Sequence, residues 1–367
     1  MIHLNCFSIS GLKSIRELTV LKPENVNILI GANGAGKSNL IFFFEMLSWA
    51  VKSPDRFKEK VAEWGGANAL LFQGSKTTKD IEGSISIQTE KGENEYHFRL
   101  TSTGGDRLLI AEEKVRFTNP SQGTGKAKWV EIGEGSFESK LYEKRSENST
   151  VRIVGDLLRQ IFVYQFHDTS PDAPIRKAWP RNDGTHLKSN GSNLGSFILN
   201  LRETSSAHYV RMVKYIREII PAFDDFEFTE TGAVVLNWRE KDTDYLFSSF
   251  QASDGTLRFI ALVALLSQPI DKLPPVFFID EPELGLHPQA IIFISGLIKK
   301  ASTHSQIFVS TQSPKLVSQF EPKEVIVVEK QNGASNYRTL DLNVLEAWMD
   351  EFSLGEMWDH NLIGGRP

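Results

Sequence analysis

The chain has 367 residues, 40% of them hydrophobic and 24% charged, with 41 basic against 46 acidic side chains and a formal charge of −5. This is a globular composition with length for about two domains, or one domain with a large insertion, and an isoelectric point near 6.0 excludes a chain-wide basic field that would draw it onto nucleic acid or an anionic membrane. One cysteine, Cys6, excludes an internal disulfide; the first residues lack a basic region with a long apolar run behind it, and no apolar run nears the ~18 residues of a membrane span, so a cytoplasmic, reducing setting without a membrane partner is expected.

In chain order, alternation predicts strands over 2–9 and 15–21 around a turn at Gly11-Leu12-Lys13-Ser14, and the apolar run 26–30 predicts a short buried strand. Residues 39–64 read as helical. Short alternating runs at 81–87, 96–100, 115–117 and 129–132 predict an antiparallel lobe, with a hairpin tip over 118–128. A buried strand is expected at 161–166, then two helices within 194–220 broken near 204–207, forming a lid or arm beside the main domain. Strands return over 226–247. From 250 onward helices at 254–267, 288–302 and 314–319 alternate with strands at 276–280, 306–310 and 324–329, which predicts a parallel sheet with helices on its faces. A short amphipathic helix is expected over 341–352.

The strongest stretch is Gly31-Ala32-Asn33-Gly34-Ala35-Gly36-Lys37-Ser38. It lies between a buried strand and a helix, the context a phosphate-binding loop requires. Its glycines let successive N–H groups turn inward, Lys37 reaches the β- and γ-phosphates, and the Ser38 hydroxyl can ligate Mg²⁺. Some 240 residues on, the apolar strand Val276-Phe277-Phe278-Ile279 ends in Asp280-Glu281: in phosphoryl transfer the first acid suits the metal side and the second can take a proton from attacking water. Ser253-Asp254-Gly255 opens a helix, Ser253 in the manner of an N-cap, and its amides form a second anion nest. That nest has a use if two copies meet face to face, each offering it to the γ-phosphate held by the other's Lys37; an ordinary turn before a helix is the alternative. Gln312 follows a buried strand and could contact the γ-phosphate or position water.

Together these motifs resemble the ATP-binding-cassette (ABC) ATPase superfamily, in the branch of RecF-type, structural-maintenance-of-chromosomes (SMC) and overcoming-lysogenization-defect ATPases, in the compact AAA-type form of phage-defence and repair loci. The likeness covers about 1–50 and 245–330. It implies an α/β fold, with an ABC-type P-loop domain on a mixed or parallel core sheet, an antiparallel β lobe and an inserted helical lid. The expected divisions are 1–165 and 226–330 for the two parts of the ATPase domain, 166–225 for the lid and 331–367 for a tail open to a partner or packed back on the domain, with Trp348 and Trp358 as its anchors. The resemblance makes Gly31 to Ser38 the Walker A loop, so that Asn33, Gly34, Ala35, Gly36, Lys37, Ser38 and Asn39 contact ATP, Ser253-Asp254-Gly255 the signature loop, Asp280-Glu281 Walker B and Leu284 to Pro288 the D-loop. Glu281, Lys37 and Gln312 are then catalytic and Ser38, Asp280 and Gln165 face Mg²⁺, with Gln165 as the Q-loop residue and Gln160 its alternative. Lys13, in the N-terminal turn, is a phosphate or base contact.

Two departures stand out. Ala-Ser-Asp-Gly replaces the Leu-Ser-Gly-Gly of transporters, bringing an acid near phosphate unless Arg258 or a metal offsets it, and Gln312 stands where histidine is common, so it can hydrogen-bond but carries no proton near neutral pH. The expected function is an Mg²⁺-dependent ATPase that forms an ATP-sandwich homodimer and controls a separate effector or nuclease in phage defence or DNA repair. Two alternatives remain at this level. One is a RecF-like repair ATPase gripping DNA through Arg176, Lys177, Arg181 and Lys188; the other is a nucleotide-sensing scaffold with negligible turnover.

Overall fold

A computed structural model describes residues 3–53, 55–119, 127–228, 232–341, 345, 348 and 350–366. The tip expected over 118–128 and the helix over 341–352 thus fall largely outside the described residues.

The core sheet has the order β17-β16-β3-β15-β14-β8, built from β3 (Val26–Ile30), β8 (Ile161–Tyr164), β14 (Val276–Asp280), β15 (Gln306–Ser310), β16 (Val325–Gln331) and β17 (Ala334–Thr339). Every neighbouring pair is parallel except β16 and β17. Its central strands are continuous apolar runs because both faces are covered, and the two-residue period divides them. Phe277, Ile279, Ile307 and Val309 face one core, and Val276, Phe278 and Phe308 face the other.

On the second face lies α1 (Lys37–Lys52), and beyond it an antiparallel sheet, order β2-β1-β4-β5-β6-β7. Its strands are β1 (His3–Leu12), β2 (Ile15–Leu21), β4 (Asp80–Thr89), β5 (Gly92–Thr103), β6 (Arg107–Thr118) and β7 (Val130–Gly133). Helix α1 is clamped between the sheets by aromatic rings. Phe44 lies 5.0 Å from Phe278 and 5.0 Å from Phe7, and Phe43 lies 6.1 Å from Phe98, ring centre to ring centre. Such pairs add about 1 kcal/mol each beyond area burial. Short helices α2 (Phe57–Glu63) and α3 (Gly66–Leu70) follow, and α4 (Ser149–Arg159) leads into β8.

The first face carries α5 (Leu194–Thr204), α6 (Ser206–Ile219), α7 (Asp254–Ser267) and α8 (Pro288–Ala301). Leu194, Ile198, Met212 and Ile216 share a core with Phe277 and Val309, so the segment expected as a lid packs into the main body. Short strands β9 (Trp179–Pro180), β10 (Phe223–Glu227), β11 (Ala233–Val234), β12 (Asn237–Glu240) and β13 (Leu246–Ser248) edge this side. Helix α9 (Pro314–Val317) and the C-terminal α10 (Leu354–Asp359) complete the fold. Trp358 is buried in the core, whereas Trp348 is exposed. Cys6 is half-buried and free. No helix among the described residues is long and apolar enough to cross a membrane.

Some elements escaped the sequence reading although local signals were present, α4 and β17 among them. Helix α4 is capped by the Asn148 side chain, which accepts from the Thr150 and Val151 N–H groups, and buries Val151, Val154, Leu157 and Leu158 at helical spacing. Strand β17 follows Asn332-Gly333, both at positive φ (51° and 79°), with Gln331 paired to Ala334. This is the Asn-Gly two-residue hairpin.

One buried acid sets a pH dependence of stability. Glu113 on β6 accepts from the Tyr96 hydroxyl at 2.7 Å, the Ser139 hydroxyl at 2.6 Å and the Lys140 N–H at 2.8 Å, yet burial pushes its pKa up despite these donors. A raised folded value favours the protonated form, so its stabilising contribution is present at low pH and is lost as pH rises through that value. In urea unfolding, the stability advantage of wild type over Glu113→Gln is therefore expected to shrink as pH rises above the ordinary carboxylate range; a pH-independent difference contradicts this.

Candidate functional site

The register of the core sheet gathers the site. Asp280 pairs with Ser310 and Ser310 with Leu29, so β14, β15 and β3 end level at one edge, the carboxyl edge at which parallel α/β sheets bind ligands. From β3 the chain enters the glycine-rich loop and then α1. Asn33, Gly34 and Ser38 are exposed, Asn39 is half-buried and Ala35, Gly36 and Lys37 are buried. Lys37 bends back, its ammonium donating to Gly31 O at 2.5 Å and Ala32 O at 3.2 Å. Burial lowers its pKa, while the charges of Glu281, Asp280 and Glu283 act to raise it, so the lysine lies within the field of the acid strand.

The loop is held from outside by Ser335 and Tyr337, which the sequence reading did not single out. Ser335 on β17 donates to Ala35 O at 2.5 Å, and the Tyr337 hydroxyl donates to Gly36 O at 2.8 Å. Ser14 Oγ lies 2.5 Å from Ser335 Oγ and accepts from the Asn39 amide at 2.5 Å. These links span some 300 residues of sequence. Lys13, next to Ser14, is in the left-handed region with φ 49°, and its ammonium sits 3.4 Å from the centre of the Phe42 ring. It stacks on that ring as a cation–π pair.

At the end of β14, Asp280 accepts through Oδ1 from the Ser310 hydroxyl, and Gln165 approaches Oδ2 at 3.4 Å. His167 Nε2 lies 2.9 Å from Asp280 O. Gln160 is at the other end of β8, its amide donating to Asp156 O at 3.1 Å, so of the two glutamines Gln165 reaches the acid. Glu281 has φ 44°, unusual for a residue with a side chain, and accepts from the Gln312 side-chain amide. Glu283, also unremarked in the sequence, accepts from the Thr311 hydroxyl at 2.7 Å and from the Gln312 N–H at 2.9 Å. Burial raises its pKa.

The third cluster opens α7. Ser253 caps it, its Oγ accepting from the Thr256 N–H at 3.1 Å, and Ser253 and Asp254 are exposed. A Cβ on Gly255 would fall 2.3 Å from Gly285 O, so the helix start sits directly on the loop after β14. A cavity of about 200 Å³ opens here between Ser253, Phe259, Leu286 and Ile219. Asp254 is paired, but with Arg176 at 2.8 Å, not with Arg258, the partner the sequence suggested. Arg258 instead donates to Phe166 O at 3.0 Å and His167 O at 2.7 Å, because its guanidinium lies across the loop leaving β8.

Arg176 is 6% exposed and also donates to Thr169 O at 2.8 Å, Ala252 O at 3.0 Å and Ser249 O. It is a brace under the start of α7. Arg176→Ala, which strips donors from three buried carbonyls, is expected to lower folding stability by about 3 kcal/mol in urea titration; an unchanged midpoint overturns the bracing role. The other basic residues of that segment meet acids as well: Lys177 with Asp172 at 3.7 Å, Arg181 with Glu203 at 2.6 Å and Lys188 with Asp183 at 3.2 Å.

The Ser38 hydroxyl and the Asp280 carboxylate, with the Gln165 amide 3.4 Å from Asp280, are oxygen donors of the hard kind Mg²⁺ takes, and such an ion is held by one or two side chains plus substrate phosphates. Accordingly, among the described residues no group of three or more His, Cys, Asp or Glu could hold a metal by itself.

Residues 115–318 match the family described as "AAA domain, putative AbiEii toxin, Type IV TA system". That span includes the signature loop, Asp280, Glu281 and Gln312 and leaves out the phosphate loop. No curated protein matches the chain. Among solved structures it is similar to an SMC head bound to the C-terminal winged-helix domain of ScpA, with a TM-score of 0.59 and 18% identity over 95% of this chain and 99% of that one. It is also similar to the Smc head domain with an extended coiled coil, bound to the C-terminal domain of ScpA, from Pyrococcus furiosus, with a TM-score of 0.55 and 16% identity over 96% and 99%. With more than half of its residues inside the family match, the chain belongs to the AAA-domain family so described, and its backbone has the fold of the SMC head domains.

Proposed function

We propose that this protein is an Mg²⁺-dependent ATPase that closes head to tail on a second copy around two ATP molecules. The observation that carries the reading is the convergence at one sheet edge of Lys37, Asp280 and Glu281, with Gln312 hydrogen-bonded to Glu281. On binding, Lys37 exchanges the Gly31 and Ala32 carbonyls for the β- and γ-phosphate oxygens, and the loop amides take the remaining charge. Glu281 accepts the proton of the attacking water. Gln312 moves its amide from Glu281 toward that water or the γ-phosphate. Ser38 and Asp280, with Gln165 near Asp280, would hold Mg²⁺, which would neutralise phosphate charge. Exposed Ser253 and the amides of Asp254 and Gly255 meet the γ-phosphate gripped by the other copy, with the charge of Asp254 offset by Arg176.

The SMC heads similar to this chain were solved with a domain of a separate protein, ScpA, attached. On that pattern dimer closure here controls a separate effector, in phage defence or DNA repair and in the cytoplasm, with the exposed Trp348 as one candidate contact. Arg176 is buried and paired with Asp254, and Lys177, Arg181 and Lys188 each lie beside an acid, which lends less support to a DNA-gripping reading than four free cations would. The deciding experiment is size-exclusion of Glu281→Gln with and without Mg-ATP: a nucleotide-dependent dimer supports the reading and a monomer overturns it.

A further inference from the structure

Glu283 is a carboxylate in the heart of the site that neither phosphate gripping nor water activation employs. Its Oε1 accepts from the Thr311 hydroxyl at 2.7 Å and the Gln312 N–H at 2.9 Å, while its Oε2 is buried without a partner. Thr311 is tied on both sides, its N–H donating to Leu29 O at 3.0 Å and its hydroxyl accepting from the Ser313 N–H at 3.0 Å. The side chain of Gln312 donates to Glu281. One oxygen of Glu283 therefore holds the main chain of the residue whose side chain touches the proposed base.

We propose that Glu283 is a positioning residue for ATP turnover, anchoring the backbone of Gln312 so that only its side chain moves between Glu281 and the reacting phosphate. This rests on reading the chain as an ATPase. The partnerless oxygen is the informative feature. An ionised carboxylate buried with one oxygen unsatisfied is costly, so what the site draws on is a single acceptor at Oε1. Burial and the neighbouring charge of Glu281 both favour the protonated form, and an amide reproduces that acceptor. Without it the Thr311 hydroxyl and the Gln312 N–H lose their partner, and the 311–313 turn is free to carry Gln312 away from Glu281.

The test is a variant set read by kinetics and by amide exchange. Glu283→Ala is expected to lower kcat by about tenfold or more while the Kd for ATP stays within about twofold, the split expected when an interaction acts on the chemical step, and Glu283→Gln is expected to recover most of that loss. Because Glu283 acts through Gln312, the double variant Glu283→Ala/Gln312→Ala is expected to turn over no more slowly than Gln312→Ala alone. Multiplied losses, or a Gln variant as slow as the Ala variant, overturn the proposal. Should Glu283→Ala fold poorly, Thr311→Val removes one of the two donors at nearly constant shape and is expected to give a smaller loss in kcat of the same kind. Hydrogen exchange of the nucleotide-free protein reads the anchor directly: the Gln312 amide is expected to lose protection in Glu283→Ala and keep it in Glu283→Gln, and equal protection in both overturns the proposal whatever the turnover. Wild-type hydrolysis no faster than that of Lys37→Ala would instead overturn the ATPase reading, leaving the exchange result to decide the anchor.

Discussion

Glu281→Gln is expected to slow single-turnover ATP hydrolysis by about a thousandfold, within the range for loss of a general base, and to accumulate a dimer in Mg-ATP. The amide keeps the length of the side chain and an oxygen for the Gln312 amide to reach, so the site stays assembled, but it cannot take the proton of the attacking water. ATP then stays intact and the dimer it bridges stays closed. The backbone supplies a control. Glu281 is held at φ 44° between β14 and the following loop, its N–H donating to Ser310 O at 2.9 Å. A side chain there costs about 1 kcal/mol relative to glycine. Glu281→Gly is therefore expected to be as inactive as the Gln variant and more stable to urea than wild type. Stability traded for activity in this way marks strain kept for function, and a Gly variant that is inactive and less stable removes that interpretation.

Gly36→Ala is expected to weaken ATP binding by about a hundredfold or more, equivalent to ~2.7 kcal/mol, and to lower the melting temperature. Two constraints meet at this residue. Its φ of 118° lies where L side chains are strained, and an added Cβ would fall 2.0 Å from Ser335 Oγ. That hydroxyl cannot simply rotate aside, because it donates to Ala35 O and also touches Ser14 Oγ. Relief requires β17 or the loop itself to move, and either movement displaces the N–H groups that would receive phosphate. Ser335→Ala, which removes the bond and leaves the space, is expected to cost about tenfold in affinity, near the ~1.4 kcal/mol of one buried hydrogen bond. Isothermal titration with ATP measures both, and wild-type affinity in Gly36→Ala would mean that β17 does not constrain the loop.

Patterns contained within a few turns of chain were legible before any coordinates. The strand, glycine-rich loop and helix around 26–50, the apolar run ending in Asp280-Glu281 and the Ser253-capped helix read correctly because propensity, capping and periodicity act over neighbouring residues. Helix α4 and the β16–β17 hairpin were equally local, through the Asn148 cap and the Asn332-Gly333 turn, and were overlooked; the signals were there. Other features had no local trace. Arg176 read as a surface cation because nothing near it in sequence announces the three carbonyls, from residues 169, 249 and 252, that enclose it. Glu283 went unremarked, since its partners, Thr311 and Gln312, arrive from the turn after β15.

The amino-acid order by itself determined that this chain has a strand, glycine-rich loop and helix around 26–50, an apolar strand ending in Asp280 and a helix capped by Ser253, because each depends on backbone conformations and hydrogen bonds closed within a short segment. Only the tertiary structure decided that Ser335 and Tyr337 buttress the loop, that Arg176 and not Arg258 balances Asp254, that Lys13 stacks on Phe42, and that Glu283 holds Gln312. Those pairings depend on strand order and register in two sheets, which bring together residues up to 321 positions apart, and no pattern of neighbours along a chain encodes a contact at that distance.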